Sequence, residues 1–193
     1  MKLTYTIKEN DVFDNLKHVL KVEFEISDRL LTKLKKDNRI LLNGISSNIY
    51  SKVNCGDVIE VLLDFEEKSE NIVPKKMNLN IIYEDEYLLV INKSAGIPVH
   101  PSILHYENSL SNGVKYYYNE NNINKKIRPV NRLDKDTSGI VIFAKSEYIQ
   151  ECLVRQMKND TFHKEYIAIC EGIFEEKIGI INESIARKER KHN

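Results

Sequence analysis

A polar run from Phe65 to Met77, with Pro74 inside it, divides the apolar periodicity of the chain in two. Two small packed parts joined by a linker are therefore predicted, rather than one continuous core. The length of 193 residues suits one ordinary domain, or a small one joined to part of a larger one. A content of 41% hydrophobic and 30% charged residues is that of a folded, soluble chain rather than a disordered one. No apolar run approaches the ~20 residues that span a bilayer. The start, Met1-Lys2-Leu3-Thr4-Tyr5-Thr6, has no signal-peptide apolar core, so a cytoplasmic location is expected. Cys55, Cys152 and Cys170 are odd in number and widely spaced. They suit neither a disulfide framework nor a zinc site and are expected to pack as small hydrophobes.

Before the linker, Val12, Phe13, Leu16, Val19 and Leu20 recur at helical spacing, and Ser27 is placed to cap a second helix carrying Leu30, Leu31 and Leu34. Ile40-Leu41-Leu42 then meets Asn43-Gly44, a tight-turn signal. A turn at Asn54-Cys55-Gly56-Asp57 leads into a strand, Val58 to Leu63. After the linker, Leu79 to Tyr83 and Leu88 to Asn92 flank the acidic turn Glu84-Asp85-Glu86 as a hairpin. Lys93 to Pro101 is a Gly- and Pro-containing loop, and Leu110, Val114, Tyr117 and Tyr118 mark a helix. A buried strand is predicted over Ile140 to Ala144. Ser146 then caps a helix with Ile149, Cys152, Leu153 and Met157 on its apolar face. Tyr166 to Cys170 and Lys177 to Ile181 are the last strand candidates. Strands and helices without strict alternation give the class α+β.

The charges, 29 basic against 29 acidic, sum to zero, whereas a protein held to nucleic acid by counterion release is usually basic. They are clustered, however. Arg29, Lys33, Lys35, Lys36 and Arg39 form one basic group, and Arg187, Lys188, Arg190 and Lys191 form another. An acidic excess lies around Asp57, Glu60, Asp64, Glu66, Glu67 and Glu70. Local patches attract phosphate even when the total is neutral, and a solvated helix face fits the first group equally well.

Asn131 to Gly139 places two carboxylates, two hydroxyls and a glycine between Pro129 and the apolar strand at Ile140. Loops set against a rigid strand often hold reactive groups. The same residues also suit a plain polar turn, with Asp134 and Thr137 bonded to backbone and Gly139 in an unusual conformation. The residue types alone leave both readings open.

The run Arg128 to Gly139 closely resembles the signature of the RluA family of RNA pseudouridine synthases, His-Arg-Leu-Asp, two variable residues, then Thr-Ser-Gly. Tyr83 to Lys93 and Gly96-Ile97-Pro98-Val99-His100-Pro101 look like the family's first segment, and Lys164-Glu165-Tyr166-Ile167-Ala168 like its Lys-x-Tyr strand. Residues Leu16 to Leu63 are similar to the alpha-L RNA-binding module that often precedes such a domain. The resemblance implies an alpha-L-like module over residues 1–64, a linker over 65–77 and, over 78–193, the amino-terminal part of a synthase domain with a mixed, mainly antiparallel sheet and flanking helices.

It further implies that Asp134 is the catalytic carboxylate, that Tyr166 stacks on the target base and that Arg132 fills the gap left by that base. A stacked base must be flipped before it can be reached, and aromatic and cationic side chains suit the two sides of that gap. The candidate RNA-binding residues are the first basic group, Arg29, Lys33, Lys35, Lys36 and Arg39. The implied partner is ribosomal or transfer RNA, with no cofactor, metal or membrane. Without the resemblance, Tyr166 also reads as core and Arg132 as a surface cation.

Two departures stand out near the loop: Asn131 at the usual histidine position, and Ser94 where proline is common. The family's later Gly-Arg-x-His-Gln-Ile-Arg motif, whose arginine pairs with the catalytic aspartate, has no counterpart before Asn193. The resemblance thus covers the first two-thirds of a synthase, and exposed sheet edges and apolar surface are expected. Two other functions are weighed: a non-catalytic RNA-binding protein, and an aspartyl phosphotransferase using Asp134-Lys135-Asp136. The second usually places its motif at the end of an apolar strand, whereas here the strand follows.

Overall fold

A computed structural model describes residues 1–67, 71–102, 106–173 and 178–184. The chain divides into two units, Met1–Phe162 and His163–Asn193.

The first unit begins with β1 (Lys2–Thr6), then α1 (Leu16–Val22), α2 (Asp28–Lys36), β2 (Ile40–Leu42), β3 (Ile45–Ser46) and β4 (Val58–Leu62). These strands form an antiparallel sheet in the order β1-β4-β2-β3. β1 adds to the predicted elements; its alternating Leu3 and Tyr5, half-buried between exposed neighbours, carry the period-two signal. Helix α1 starts at Leu16 rather than Val12 because Asn15 caps it, accepting from the His18 N–H at 3.1 Å. Val12, outside that cap, is 84% exposed. Ser27 caps α2 as predicted, accepting from Leu30 N–H. Asn43 and Gly44 both have positive φ, 52° and 78°, which matches the twist a two-residue hairpin requires. Leu16, Val19, Leu20, Leu30, Leu34, Ile59 and Val61 meet as a fully buried core, each side chain contributing on the order of 1.5–3 kcal/mol by leaving water.

The stretch read as a linker is anchored. Phe65 is buried in this first core, with the Lys33 ammonium 3.8 Å and the Arg39 guanidinium 4.6 Å from its ring centre. Glu67 accepts from Lys33 at 2.6 Å and from Arg128 at 2.8 Å. Further on, the Val73 carbonyl accepts from Asn112 Nδ2. Burial alone raises the Glu67 carboxyl, but the bonds from Arg128 and Lys33 and their charges bring it below its ordinary 4.5.

The sign follows from linkage. A carboxyl lowered on folding stabilises above the unfolded carboxyl range, near pH 4.3, and loses that contribution as pH falls through the folded value. Glu67→Gln is expected to cost about 2 kcal/mol at neutral pH, less than breaking a fully buried pair. In urea unfolding, the gap from the parent protein should close in acid; a gap independent of pH contradicts this account.

The next elements are β5 (Ile81–Glu84), β6 (Leu88–Lys93), α3 (Leu110–Glu120), β7 (Gly139–Ala144) and α4 (Glu147–Lys158). The strands form a second antiparallel sheet, β5-β6-β7. The other edge of β7 is also engaged: Val130 N–H donates to the Ile142 carbonyl at 2.7 Å and Ala144 N–H to that of Arg128 at 2.9 Å. Leu89 and Ile91 of β6, Val141 and Phe143 of β7 and Leu110, Val114 and Tyr118 of α3 form the second core. Ser109 and Asn112 form a reciprocal cap at the start of α3. Helix α4 meets the amino-terminal part of this unit through Glu151 with Ser27 (2.5 Å) and Glu147 with Arg29 (3.1 Å). The class is α+β with antiparallel sheets, as predicted.

In the second unit the described residues form no strand, so the predicted strand at Tyr166–Cys170 is a correction. A strand persists only when a neighbour satisfies its N–H and C=O groups, and none does so here among the described residues. Ile167, Ile169 and Ile173 are almost wholly exposed, an apolar surface of the kind the sequence leads one to expect. Lys177, in the other strand candidate, and the basic group Arg187, Lys188, Arg190 and Lys191 lie outside the described residues. The cysteines also depart from expectation: Cys55 and Cys170 are exposed, and only Cys152 is half-buried. Among the described residues no helix is long and apolar enough to cross a membrane.

Candidate active site

Residues alternate in and out along β6, and Lys93 falls on the inward side with Leu89 and Ile91. It is 1% exposed. Its ammonium donates to the carbonyls of Ser94 (3.0 Å), Ile97 (2.8 Å) and Lys135 (3.0 Å). Gly96 N–H donates to the same Lys135 carbonyl at 2.9 Å. One buried cation therefore ties the loop after β6 to the loop before β7. Desolvation pulls the Lys93 ammonium below its ordinary value, and the charges of Asp136 and Asp134 act against that pull.

The second loop is held at both ends. Asn131 Nδ2 donates to the Ile140 carbonyl and its Oδ1 accepts from Ile142 N–H, both at 2.9 Å. Its amide thus extends the pairing along β7 for one more residue, and Arg132 then leaves the sheet edge. Thr137 N–H bonds the Asp134 carbonyl at 3.2 Å and turns the chain back. Gly139 returns it to β7 with φ at 131°, where side chains are strained. The first loop is stitched to the start of α3 by Leu110 N–H to Pro98 and by Ser111 N–H and Oγ to Val99.

Between these two loops lies a cleft of about 330 Å³, with Pro98, Val99 and His100 on one side and Arg132, Leu133 and Asp134 on the other. Arg132 and Asp134 are both exposed. Desolvation first, and the Arg132 charge second, push the His100 ring below its ordinary value. The result is an accessible carboxylate and a guanidinium on a backbone tied down from beneath.

Of the residues singled out in the sequence, Asp134 and Arg132 come together in this cleft. Tyr166 belongs to the second unit and is 64% exposed, which answers its reading as a core residue. In the basic group, Arg29 pairs with Glu147 and Lys33 with Glu67, and Arg39 lies over Phe65. Lys35 and Lys36 stand exposed on α2. Lys93 was not singled out in the sequence. Its signal is the inward position in the alternation Leu89, Ile91, Lys93, since a lysine on a buried face needs partners.

A family profile described as RNA pseudouridylate synthase matches residues 87–193, more than half of the chain and all of the cleft described above. The chain belongs to this family. Among curated relatives it is 40% identical over 152 residues to a protein named ribosomal large subunit pseudouridine synthase D from Blochmanniella floridana, covering 77% of this chain and 47% of the relative. A protein of the same name from Borreliella burgdorferi is 35% identical over 205 residues, covering all of this chain and 61% of the relative. A protein named uncharacterized RNA pseudouridine synthase YhcT from Bacillus subtilis is 35% identical over 175 residues, covering 90% of this chain and 57% of the relative. The chain thus spans about half the length of the synthases it matches. The phosphotransferase reading loses its ground, since β7 follows the Asp134 loop and runs antiparallel to β6.

Proposed function

We propose that this protein converts uridine to pseudouridine in RNA, with Asp134 as the catalytic carboxylate. The observation that carries the reading is the pairing of family membership with an exposed Asp134 on a loop tied to Lys93. In the reaction the N1–C1′ bond breaks, a C5–C1′ bond forms, the C5 hydrogen leaves as a proton and N1 gains one. A carboxylate can serve by adding to the base, attacking the sugar carbon or taking a sugar proton, and each route needs it ionised. Arg132 supplies a cation beside the space vacated by a flipped base, and Tyr166 an aromatic face on which the base stacks.

Residues 1–64 form an alpha-L-like RNA-binding module in this reading, followed by the 65–77 connection and the synthase domain. The RNA face of the module comprises Arg29, Lys33, Lys35, Lys36 and Arg39; Lys35 and Lys36 are its exposed cations. The substrate class is ribosomal or transfer RNA, met in the cytoplasm, and the relatives named for the large ribosomal subunit favour ribosomal RNA.

The test is tritium release. RNA carrying tritium at uridine C5 is incubated with the protein, because forming the new bond expels that hydrogen whichever uridine is used. Release above the protein-free rate from ribosomal or transfer RNA is expected. No release from either, with folded protein, sinks the isomerase reading. RNA affinity without release would favour a non-catalytic RNA-binding protein.

A further inference from the structure

A second, larger cleft of about 740 Å³ lies where the start of α2, residues 126–129 and α4 meet. His100 lines both this cleft and the one holding Asp134, so the two adjoin. Its carboxylates are already engaged within the fold. Glu147 pairs with Arg29, Glu25 with Arg155, and Glu151 accepts from Ser27. Arg128 is likewise committed, to Glu67. That leaves Lys126 and Lys158, both exposed and with no ion pair among the described residues, as the uncommitted cations on its walls, against one carboxylate, Glu151, that is hydrogen-bonded but not ion-paired.

We propose that this cleft is the path of the RNA strand flanking the target uridine, with Lys126 and Lys158 meeting its phosphates and His100 marking the passage to Asp134. Three features argue for a polyanion. Glu25 and Glu147 are neutralised by arginines, so the two free ammonium groups outweigh the single remaining carboxylate, Glu151; the net field is positive, and a walled cleft focuses it. The volume exceeds that of the Asp134 cleft more than twofold, as a flanking strand beside a single flipped base requires. The adjoining position at His100 lets one chain occupy both. In this arrangement Arg29 holds the wall through Glu147, and the two lysines carry the contact with the backbone.

The proposal rests on the RNA-isomerase reading, but its test needs no turnover. Binding of a fluorescent single-stranded oligouridylate is measured over a range of salt, using the full chain with Asp134→Ala as background. Adding Lys126→Ala and Lys158→Ala together is expected to weaken binding about tenfold at moderate salt. It should also lower the slope of log affinity against log salt by about 1.4, as for two lost single-strand phosphate contacts. Lys75→Ala with Lys76→Ala, both exposed and neither lining either cleft, is the matched loss of charge. An unchanged slope, or an equal effect from the Lys75 and Lys76 pair, overturns the path. Absence of tritium release from the parent protein would remove the isomerase reading and leave this binding result standing.

Discussion

Asp134→Ala is expected to lower tritium release at saturating RNA by at least about 10²-fold, the lower end of what a positioned carboxylate contributes. Asp134→Asn should do nearly the same, since it keeps the shape and removes the charge. RNA affinity should hold, because the side chain is exposed and makes no hydrogen bond that supports the fold among the described residues. Asp136→Asn is the informative neighbour. Asp136 is also exposed and lies two residues away, but it is not among the residues lining the cleft. It should retain most of the activity. If Asp134→Asn turns over like the parent, or if Asp136→Asn alone is inactive, the carboxylate has been misassigned.

Lys93→Met should act on both stability and rate. Methionine keeps the unbranched stem within the core but removes the ammonium, leaving three carbonyls with the loss of a charged donor. Hydrogen bonds to charged groups are worth about 1.5–3 kcal/mol each, and the desolvation of the ammonium is relieved at the same time. A net loss of about 3 kcal/mol in urea unfolding is therefore expected. The loop carrying Asp134 also loses its charged tie at the Lys135 carbonyl, where the Gly96 N–H remains. Misplacement of a catalytic group by about 1 Å costs on the order of 10²-fold, so kcat should fall by that order in protein still folded, with RNA affinity little changed. A variant that is less stable but fully active when folded would make Lys93 a stabilising residue alone.

Much of the first unit was legible because short-range signals and tertiary packing agree. Ser27 and Ser146 cap the helices they were expected to cap, and Asn43-Gly44 turns the hairpin. The errors arise where a local pattern competed with a partner distant in the chain. Val12 fits the helical period, yet the Asn15 cap excludes it. Phe65 sits in a polar run, yet the amino-terminal core takes it in and Lys33 and Arg39 lie over its ring. Tyr166 to Cys170 has strand composition, but composition cannot supply the neighbouring strand that would satisfy its backbone.

Local patterns in the chain were enough to specify the α+β class, the two cores and the loop in which Asp134 stands. Asn131, the departure at the usual histidine position, holds the loop by its amide, through bonds to the Ile140 carbonyl and the Ile142 N–H. Which cations are engaged depended on the folded arrangement. Arg29 and Lys33 read as a basic patch in the chain, but Glu147 and Glu67, both far away in sequence, engage them. Lys126 and Lys158, unremarkable in the sequence, stand beside a cleft with no ion pair among the described residues. Lys93 follows the same logic in reverse: its three carbonyl partners include Lys135, reached only when two loops close over the end of β6. Periodicity and turn chemistry act over a few residues, whereas the balance of a charge depends on every group that folding brings near it.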